Sequence, residues 1–285
     1  MRGLVLVLFI VAFSLVGFRT GENIYGSMNA TSVMTYDIHM EGCAHHHPSW
    51  MARRSMVAQV IRLKSPEILG LQGTSLNQLA WLQENLVHYD VHYPKSMTLL
   101  GDDVCPILHD ARIYTSLEDG TYVLDDLISA KTSAKDNLAT SPFLNWVKLE
   151  HIPSKRIIYV INTSLGSLNT DEGKPAAITK MQSFVDDLVA GNSFVLLGNL
   201  ASEPESPTIV ELSSWAQESN VSSLVSISAM EDTQLGWEKC ASGKRVDYVL
   251  LSKDIPANSH EVVDIAFQNK FPSDHLPVFC RVRLN

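Results

Sequence analysis

Three consecutive histidines are the first residues in this chain whose type and spacing suggest chemistry. His45, His46 and His47 stand together in a segment whose glycine, proline and small residues predict a loop. Imidazole nitrogens are good ligands for Zn²⁺ and Cu²⁺. Adjacent side chains in an extended loop point apart, so three in a row rarely form one site. The tract becomes a metal-site candidate if His39 or Cys43 converges with it.

Carboxylates near predicted strand ends suggest a second kind of chemistry. Asp37 lies in the first strand-like run, Asp247 in RVDY, and Asp274 precedes His275 in PSDHLP. Carboxylates that converge at strand ends can hold Mg²⁺, which prefers oxygen ligands. A structural role is the alternative, because Asp caps backbone amides in such turns and His pairs with a neighbouring acid. Asp247 could likewise hydrogen-bond to a loop backbone.

Strands and helices alternate along the chain and would have to position these residues. Helical spacing of apolar residues predicts three main helices, over 50–63, 75–86 and 176–189. Largely apolar runs at 67–73 and 193–200 are typical of strands that are buried on both faces. We also expect a turn at Asp119-Gly120 between two strands, and a strand over 261–269.

One domain accounts for this pattern. No repeat and no composition break divides the chain, so we predict a short N-terminal segment over 21–32 and a single domain over 33–285. Buried strands, long hairpins and intervening helices favour an α+β fold. In this four-layer α/β sandwich, two packed mixed β-sheets are flanked by helices.

The order of the strand-end motifs resembles the endonuclease/exonuclease/phosphatase superfamily, which has the deoxyribonuclease I-like fold. The matching segments run in order from 33 to 284: VMTYDIH, Trp50 with Arg53 or Arg54, PEILGLQG, GTYVLD, NWVKLE, VINTSLGS, LLGNLASEP, RVDYVLLS and PSDHLPVFC. The resemblance implies phosphoester hydrolysis with one or two divalent cations, usually Mg²⁺. In such a reaction an Asp activates water and a His steadies the developing charge.

Five of the catalytic positions that the resemblance implies are substituted in this chain. The metal-binding Glu falls on Gly73. The His and Asp of the next motif fall on Ser164 and Gly166, and the Asp and Asn of the GDxN motif fall on Asn199 and Ala201. These positions have lost the groups that would bind metal, activate water and hold phosphate.

Four polar positions survive or nearly survive. The resemblance gives Asp247 an orienting role, and it gives Asp274 and His275 roles in metal and phosphate binding. Asp37 replaces the Asn of the first strand and could still ligate a cation. We assign none of these as catalytic. The loop acids Asp102, Asp103 and Glu203 could replace a lost carboxylate, but catalytic geometry must hold within about half an ångström.

Two functions follow from this pattern. The first is a catalytically inactive, secreted protein that uses the fold as a binding or decoy module, with an extracellular protein or small ligand in the former cleft and no cofactor. The second is a weak phosphodiesterase or phosphatase that uses Mg²⁺ or Mn²⁺ at a rearranged site. The net charge of −9 disfavours nucleic acid as a partner. We expect a monomer.

The N-terminus predicts secretion. Met1-Arg2-Gly3 precedes an apolar run that is shorter than the about 20 residues of a spanning helix, so residues 1–20 are typical of a signal peptide. An uncleaved membrane anchor is the alternative.

A secreted chain would meet an oxidising environment, where its cysteines could form disulfides, and its asparagine sequons could be glycosylated. The four cysteines, Cys43, Cys105, Cys240 and Cys280, could then form disulfides in three pairings, or some could be buried free thiols. Among the glycosylation sequons, Asn29 and Asn220 lie in polar stretches, whereas Asn162 ends an apolar strand.

Overall fold

The structure is a computed structural model, and it describes residues 30–42, 47–94, 103–124, 142–166, 174–226, 231–237 and 243–284. The predicted signal peptide lies outside these residues, as do Asn29, Cys43, His45, His46, Asp102 and Cys240. Among the helices that the structure describes, none has the length and apolar character needed to cross a membrane.

Two mixed sheets form the centre of the fold. The first has seven strands in the order β10-β12-β13-β1-β2-β4-β3. Its members are β1 (Ala30–Asp37), β2 (Ile68–Gln72), β3 (Tyr89–His92), β4 (Ile107–Asp110), β10 (Val225–Ser226), β12 (Ala257–Val262) and β13 (Val278–Arg283). β1 is parallel to β2 and antiparallel to β13. β1 begins at Ala30, so the strand takes in three residues ahead of the predicted domain start.

The second sheet has six strands in the order β5-β6-β7-β8-β11-β9. They are β5 (Tyr114–Val123), β6 (Phe143–His151), β7 (Ile157–Ser164), β8 (Phe194–Asn199), β9 (Gln217–Glu218) and β11 (Asp247–Leu251). β7 and β8 are parallel, and β8 and β11 are antiparallel. The predicted hairpin of β6 and β7 is confirmed.

Five helices are described. They are α1 (Trp50–Lys64), α2 (Leu76–Asn85), α3 (Lys174–Val189), α4 (Pro207–Trp215) and the single turn α5 (Ser219–Ser222). α2 begins with a capping box, in which Ser75 and Gln78 satisfy each other's backbone amides. α4 begins at a Ser206 cap followed by Pro207, which suits the first turn of a helix.

Apolar residues fill three interfaces, and this confirms the four-layer arrangement. Val33, Ile68, Val195 and Leu197 belong to the core between the sheets. A second core joins the outer face of the six-stranded sheet to α3 and α4, and a third joins the seven-stranded sheet to α1 and α2. Burial of this apolar surface stabilises the sandwich and fixes the strand ends that carry the candidate site.

Two local predictions were wrong. Asp119 and Gly120 lie inside β5, paired with Val147 and Trp146 of β6, and form no turn. Gly120 is required by close packing, because a Cβ there would lie 2.8 Å from Nε1 of Trp146. The strand expected over 261–269 is instead β12, Ala257–Val262.

The cysteines that the structure describes are not in disulfides. Cys105 and Cys280 are free and buried, which corrects the expected bonds at these two positions. Burial raises the pKa of both thiols. Asn162 is fully buried, as its apolar strand predicted, whereas Asn220 is half-buried in α5.

Candidate functional site

The candidate site lies where strands of the two sheets end. Asp37 is the last residue of β1, and Asn199 is the last residue of β8. In the six-stranded sheet, Asn199 is paired with Ser164 of β7 on one side and with Asp247 of β11 on the other. The structure therefore brings together strand-end residues that are separated by more than two hundred positions in the chain.

Asp37 and Asn199 connect the two sheets directly. Nδ2 of Asn199 donates a hydrogen bond to Oδ2 of Asp37 over 2.9 Å, and both residues are buried. The other oxygen of Asp37, Oδ1, accepts from the backbone N–H of His39 over 2.9 Å. Protein donors thus occupy both carboxylate oxygens of the residue that was the best candidate for a metal ligand.

A second hydrogen bond fixes the orientation of the Asn199 amide. Oδ1 of Asn199 accepts from the backbone N–H of Ala201 over 3.0 Å. Only the NH₂ group can then face Asp37, because the amide has one oxygen and that oxygen points the other way. Ala201 itself has a left-handed backbone with φ +48, and its carbonyl oxygen accepts from Nζ of the buried Lys174 over 2.7 Å.

Gly73 sits tightly against Asp37. Its φ is +56, and a Cβ built there would lie 2.5 Å from Oδ1 of Asp37 and 3.1 Å from the backbone nitrogen of His39. This backbone has no space for the Glu that the resemblance implies at position 73. Position 73 therefore accommodates only glycine without a shift of its neighbours.

Asp103 lies next to Gly73 and is engaged by the backbone. Its carboxylate accepts hydrogen bonds from the backbone N–H groups of Gly73, Thr74 and Cys105, at 2.9, 3.0 and 3.0 Å. Burial raises the pKa of Asp103 to about 6, against the lowering effect of these bonds. Asp103 therefore anchors the turn after β2, and its oxygens are directed at amides.

Asp247 and His275 form a buried ion pair. Oδ2 of Asp247 lies 2.8 Å from Nδ1 of His275, and both side chains are buried. Burial lowers the pKa of His275, but the charges of Asp247, Asp37 and Asp274 outweigh it and raise the pKa to about 10. At neutral pH the imidazole is therefore protonated, and it places a positive charge beneath the candidate site.

The second carboxylate oxygen of Asp247 lacks a hydrogen-bond partner in the part of the chain that the structure describes. Oδ1 of Asp247 is buried and makes no hydrogen bond within the described residues. Burial raises the pKa of Asp247, while His275 opposes that shift. The carboxylate is thus held mainly by His275, with a smaller contribution from the side chain of Thr233.

Asp274 contacts His39 at the rim of the site. Oδ1 of Asp274 lies 3.1 Å from Nδ1 of His39. Burial raises the pKa of Asp274, but the hydrogen bond from His39 and the charge of His275 outweigh it, and the pKa is lowered. His39 also packs edge-on against His47 and Trp237, with ring centres 5.1 and 5.0 Å away.

Arg53 is a structural residue to which the sequence pattern assigned no role. It is 1% exposed, and its guanidinium donates to the backbone oxygens of Ile38, His39 and Pro272. Its planar face also lies 5.2 and 5.3 Å from the ring centres of Trp50 and Trp237. Arg53 fastens the segment after β1 to the segment that carries His275. A Trp followed three residues later by an Arg in α1 was the only sequence signal for it.

The remaining predicted positions lie at the opening or away from it. Ser164 is half-buried and Gly166 is exposed, with only Oγ of Ser164, at 3.9 Å, near the place where a Cβ of Gly166 would lie. Glu203 is exposed and pairs with Lys244 at 3.1 Å. Neither Asp103 nor Glu203 replaces the lost Glu, since each has another partner.

The donor set does not fit a Mg²⁺ ion. Mg²⁺ requires oxygen ligands in near-octahedral geometry. Each oxygen of Asp37 already accepts one N–H, Asn199 presents its NH₂ group, and position 73 has no side chain. Among the described residues, no group of three or more His, Cys, Asp or Glu side chains is arranged to hold a metal ion.

Comparison with solved structures identifies the architecture. A mannosyl-6-phosphatase from Bacteroides thetaiotaomicron superposes with a TM-score of 0.78 at 15% identity, covering 89% of this chain and 100% of that one. An endonuclease/exonuclease/phosphatase family protein from the same organism gives 0.77 at 15% identity, over 90% and 98% of the two chains. This chain has the endonuclease/exonuclease/phosphatase fold. The expected deoxyribonuclease I-like sandwich is confirmed.

A eukaryotic structure shares the same fold. The human nocturnin catalytic domain, solved with bound sulfate, gives a TM-score of 0.71 at 16% identity, over 90% of this chain and 95% of that one. No family model matches the sequence, and no curated protein matches it. At such low identity the likeness establishes the fold, and the chemistry has to be argued from the site.

Proposed function

We propose that this chain is a non-hydrolytic binding module built on the endonuclease/exonuclease/phosphatase fold. The hydrogen bond from Nδ2 of Asn199 to Oδ2 of Asp37 carries the proposal. A carboxylate at position 199 would face Asp37 and require a cation between them. The amide instead supplies a donor, so the strand ends are held together without metal.

Electrostatics of the neighbouring groups support the same proposal. The imidazolium of His275 contacts Asp247, and the charges of Asp37 and Asp274 help to keep it protonated. A protonated imidazole has no free lone pair and cannot ligate a metal or accept a proton. The imidazolium therefore supplies, from the protein itself, one positive charge close to these carboxylates.

Small residues stand at the opening where the resemblance implies larger ones. Ser164 and Gly166 replace a His and an Asp of the implied motif, and Gly166 is exposed. We propose that a protein loop or small ligand contacts this opening. Because the N-terminal apolar run is typical of a signal peptide, we propose that this contact occurs outside the cell.

A phosphoesterase assay with a metal titration tests this function. Purified protein should show no turnover of a chromogenic phosphodiester or phosphomonoester with Mg²⁺ or Mn²⁺, and calorimetry should detect no Mg²⁺ binding at the cleft. Metal-dependent turnover that disappears in His275→Ala would overturn the proposal. His88→Gln, at an exposed histidine away from the cleft, is the matched control.

The intact Asp247–His275 pair favours a second candidate, a weak phosphoesterase. Its 2.8 Å contact would orient a cationic imidazole toward a phosphate group. This candidate requires that a bound cation pull Asp37 away from Asn199. If this candidate is right, the same assay would give metal-dependent turnover in the wild type. His275→Ala would lose that turnover, and His88→Gln would keep it.

A further inference from the structure

We propose that His39 and His47 form a binding site for a divalent transition-metal ion, Zn²⁺ or Cu²⁺, at the rim of the cleft. Their ring centres are 5.1 Å apart, with an angle of 74° between the ring planes. Two imidazoles that share one tetrahedral ion, with nitrogens at about 2 Å from it, have ring centres about 5 Å apart. The distance between the two ring centres is therefore compatible with joint ligation.

Asp274 orients His39 for this role. Nδ1 of His39 lies 3.1 Å from Oδ1 of Asp274, so Nδ1 donates its N–H to the carboxylate. In this tautomer, Nε2 holds the lone pair. A carboxylate behind the non-ligating nitrogen is the usual support of a metal-binding histidine, because it fixes the tautomer and the ring orientation.

The backbone of His39 is also fixed. His39 has a φ of +57, in the left-handed region, where a residue other than glycine is uncommon. Its carbonyl oxygen accepts from the guanidinium of Arg53 and from Nε2 of Gln78, the latter over 3.1 Å. These contacts hold one ligand rigidly, whereas His47 is exposed and open to an incoming ion.

Trp237 forms a wall beside both rings. Its ring centre is 5.0 Å from that of His39 and 5.4 Å from that of His47. A metal ion bound between the histidines would lie close to this indole. Trp237 thus provides a built-in optical reporter for an ion such as Cu²⁺, which quenches indole fluorescence.

The ligand set selects the class of metal. Two imidazoles suit Zn²⁺ and Cu²⁺, whereas Mg²⁺ prefers oxygen. Two protein ligands leave the other coordination positions to water, so the ion should exchange readily. Neither Asp37 nor Asn199 is a ligand in this site. Failure of the proposed function would therefore leave this proposal unaffected, and the reverse also holds.

The test uses the full chain without a histidine tag. Zn²⁺ titration by calorimetry should give one site, and Cu²⁺ should quench part of the tryptophan fluorescence in proportion to binding. Electron paramagnetic resonance of the Cu²⁺ form should show two imidazole nitrogens. His47→Gln, at an exposed position, should keep the fold, weaken Zn²⁺ binding at least tenfold and leave one nitrogen signal.

Three further variants sharpen the result. His39→Asn keeps a residue that tolerates positive φ and should weaken binding at least tenfold, with its fold checked by thermal unfolding. His88→Gln and the double variant His45→Gln with His46→Gln should bind like the wild type. Absence of Zn²⁺ binding in the wild type, or unchanged affinity in His47→Gln, would overturn the proposal. So would loss of binding in the His45/His46 double variant alone.

Discussion

Asn199 donates a hydrogen bond to Asp37 over 2.9 Å and so joins the end of β8 in one sheet to the end of β1 in the other. The amide oxygen of Asn199 is used at the same time by the N–H of Ala201. An Asp at this position would place two carboxylates in contact, and their repulsion would need a cation to neutralise it. With an amide in place of the acid, position 199 makes a hydrogen bond to Asp37 where the resemblance implies a metal ligand.

Asn199→Asp should destabilise the metal-free protein by about 1–3 kcal/mol, because a donor to Asp37 becomes a like charge. Added Mg²⁺ or Mn²⁺ should recover part of this loss, whereas it should not change the wild type. Urea unfolding with and without the metal measures both effects. Asn199→Ala, which removes the bridge without adding charge, should be destabilised but not respond to metal. Equal metal response in both variants would contradict this account.

Gly73→Ala should destabilise the protein more than Gly191→Ala. Both glycines have positive φ, +56 and +85, so each substitution introduces backbone strain of about 1 kcal/mol. Only at Gly73 would the new Cβ also meet Oδ1 of Asp37, at 2.5 Å, whereas nothing lies within 4 Å at Gly191. We expect an excess loss of about 1–3 kcal/mol in the Gly73 variant.

The crowding at Gly73 also predicts that the implied catalytic residues cannot simply be put back. Gly73→Glu alone, or combined with Ser164→His, Asn199→Asp and Ala201→Asn, should unfold more easily than the wild type and regain little turnover. Equal unfolding free energies for Gly73→Ala and Gly191→Ala would show that the turn relaxes around a side chain. In that case the combined variant would be a fair test of lost chemistry on an intact scaffold.

The fold was largely predictable from the sequence because its elements have clear periodicity. The largely apolar runs that became β2 and β8 consist entirely of buried residues, as expected for strands that are covered on both faces. Asp119-Gly120 was mispredicted because its turn chemistry is local, whereas the packing of Gly120 against Trp146 depends on a strand that follows much later in the chain.

The site was predictable as a set of substituted positions but not as a set of contacts. The order of the motifs located Asn199 and Gly73. The hydrogen bond between Asn199 and Asp37 depends on how the two sheets face each other. The periodicity of the sequence predicts strands and helices, but it does not predict how two sheets pack. Arg53 reaches the carbonyl of Pro272, which is 219 positions away, so its role could only be found in the folded chain.

The Asp247–His275 pair should make stability fall at alkaline pH. The pKa of His275 is raised to about 10 in the folded chain, above the about 6.5 of an unfolded histidine. A raised folded pKa means that the stabilisation is complete below about pH 6.5 and is lost as pH rises through about 10. Relative to His275→Gln, the unfolding free energy of the wild type should decline over this interval by a few kcal/mol, on the order expected for such a shift.

Urea unfolding at several pH values from about 6.5 to 10 measures this decline. Subtracting the His275→Gln curve removes the titration of lysines and tyrosines that both proteins share. The imidazole resonances of His275 provide a second measurement, since they should stay at their protonated shifts at pH 8. A neutral His275 at that pH, or parallel curves for the two proteins, would contradict the pKa assignment.

Cys105 and Cys280 should resist thiol reagents in the folded protein. Both are free, both are at most 1% exposed, and burial raises the pKa of each, so little reactive thiolate forms and no reagent reaches it. Native protein treated with a maleimide should carry no label at these two residues by peptide mass spectrometry, and protein unfolded in urea should carry it at both. Peptides joined through either cysteine in non-reduced digests would instead restore the disulfide that the sequence suggested.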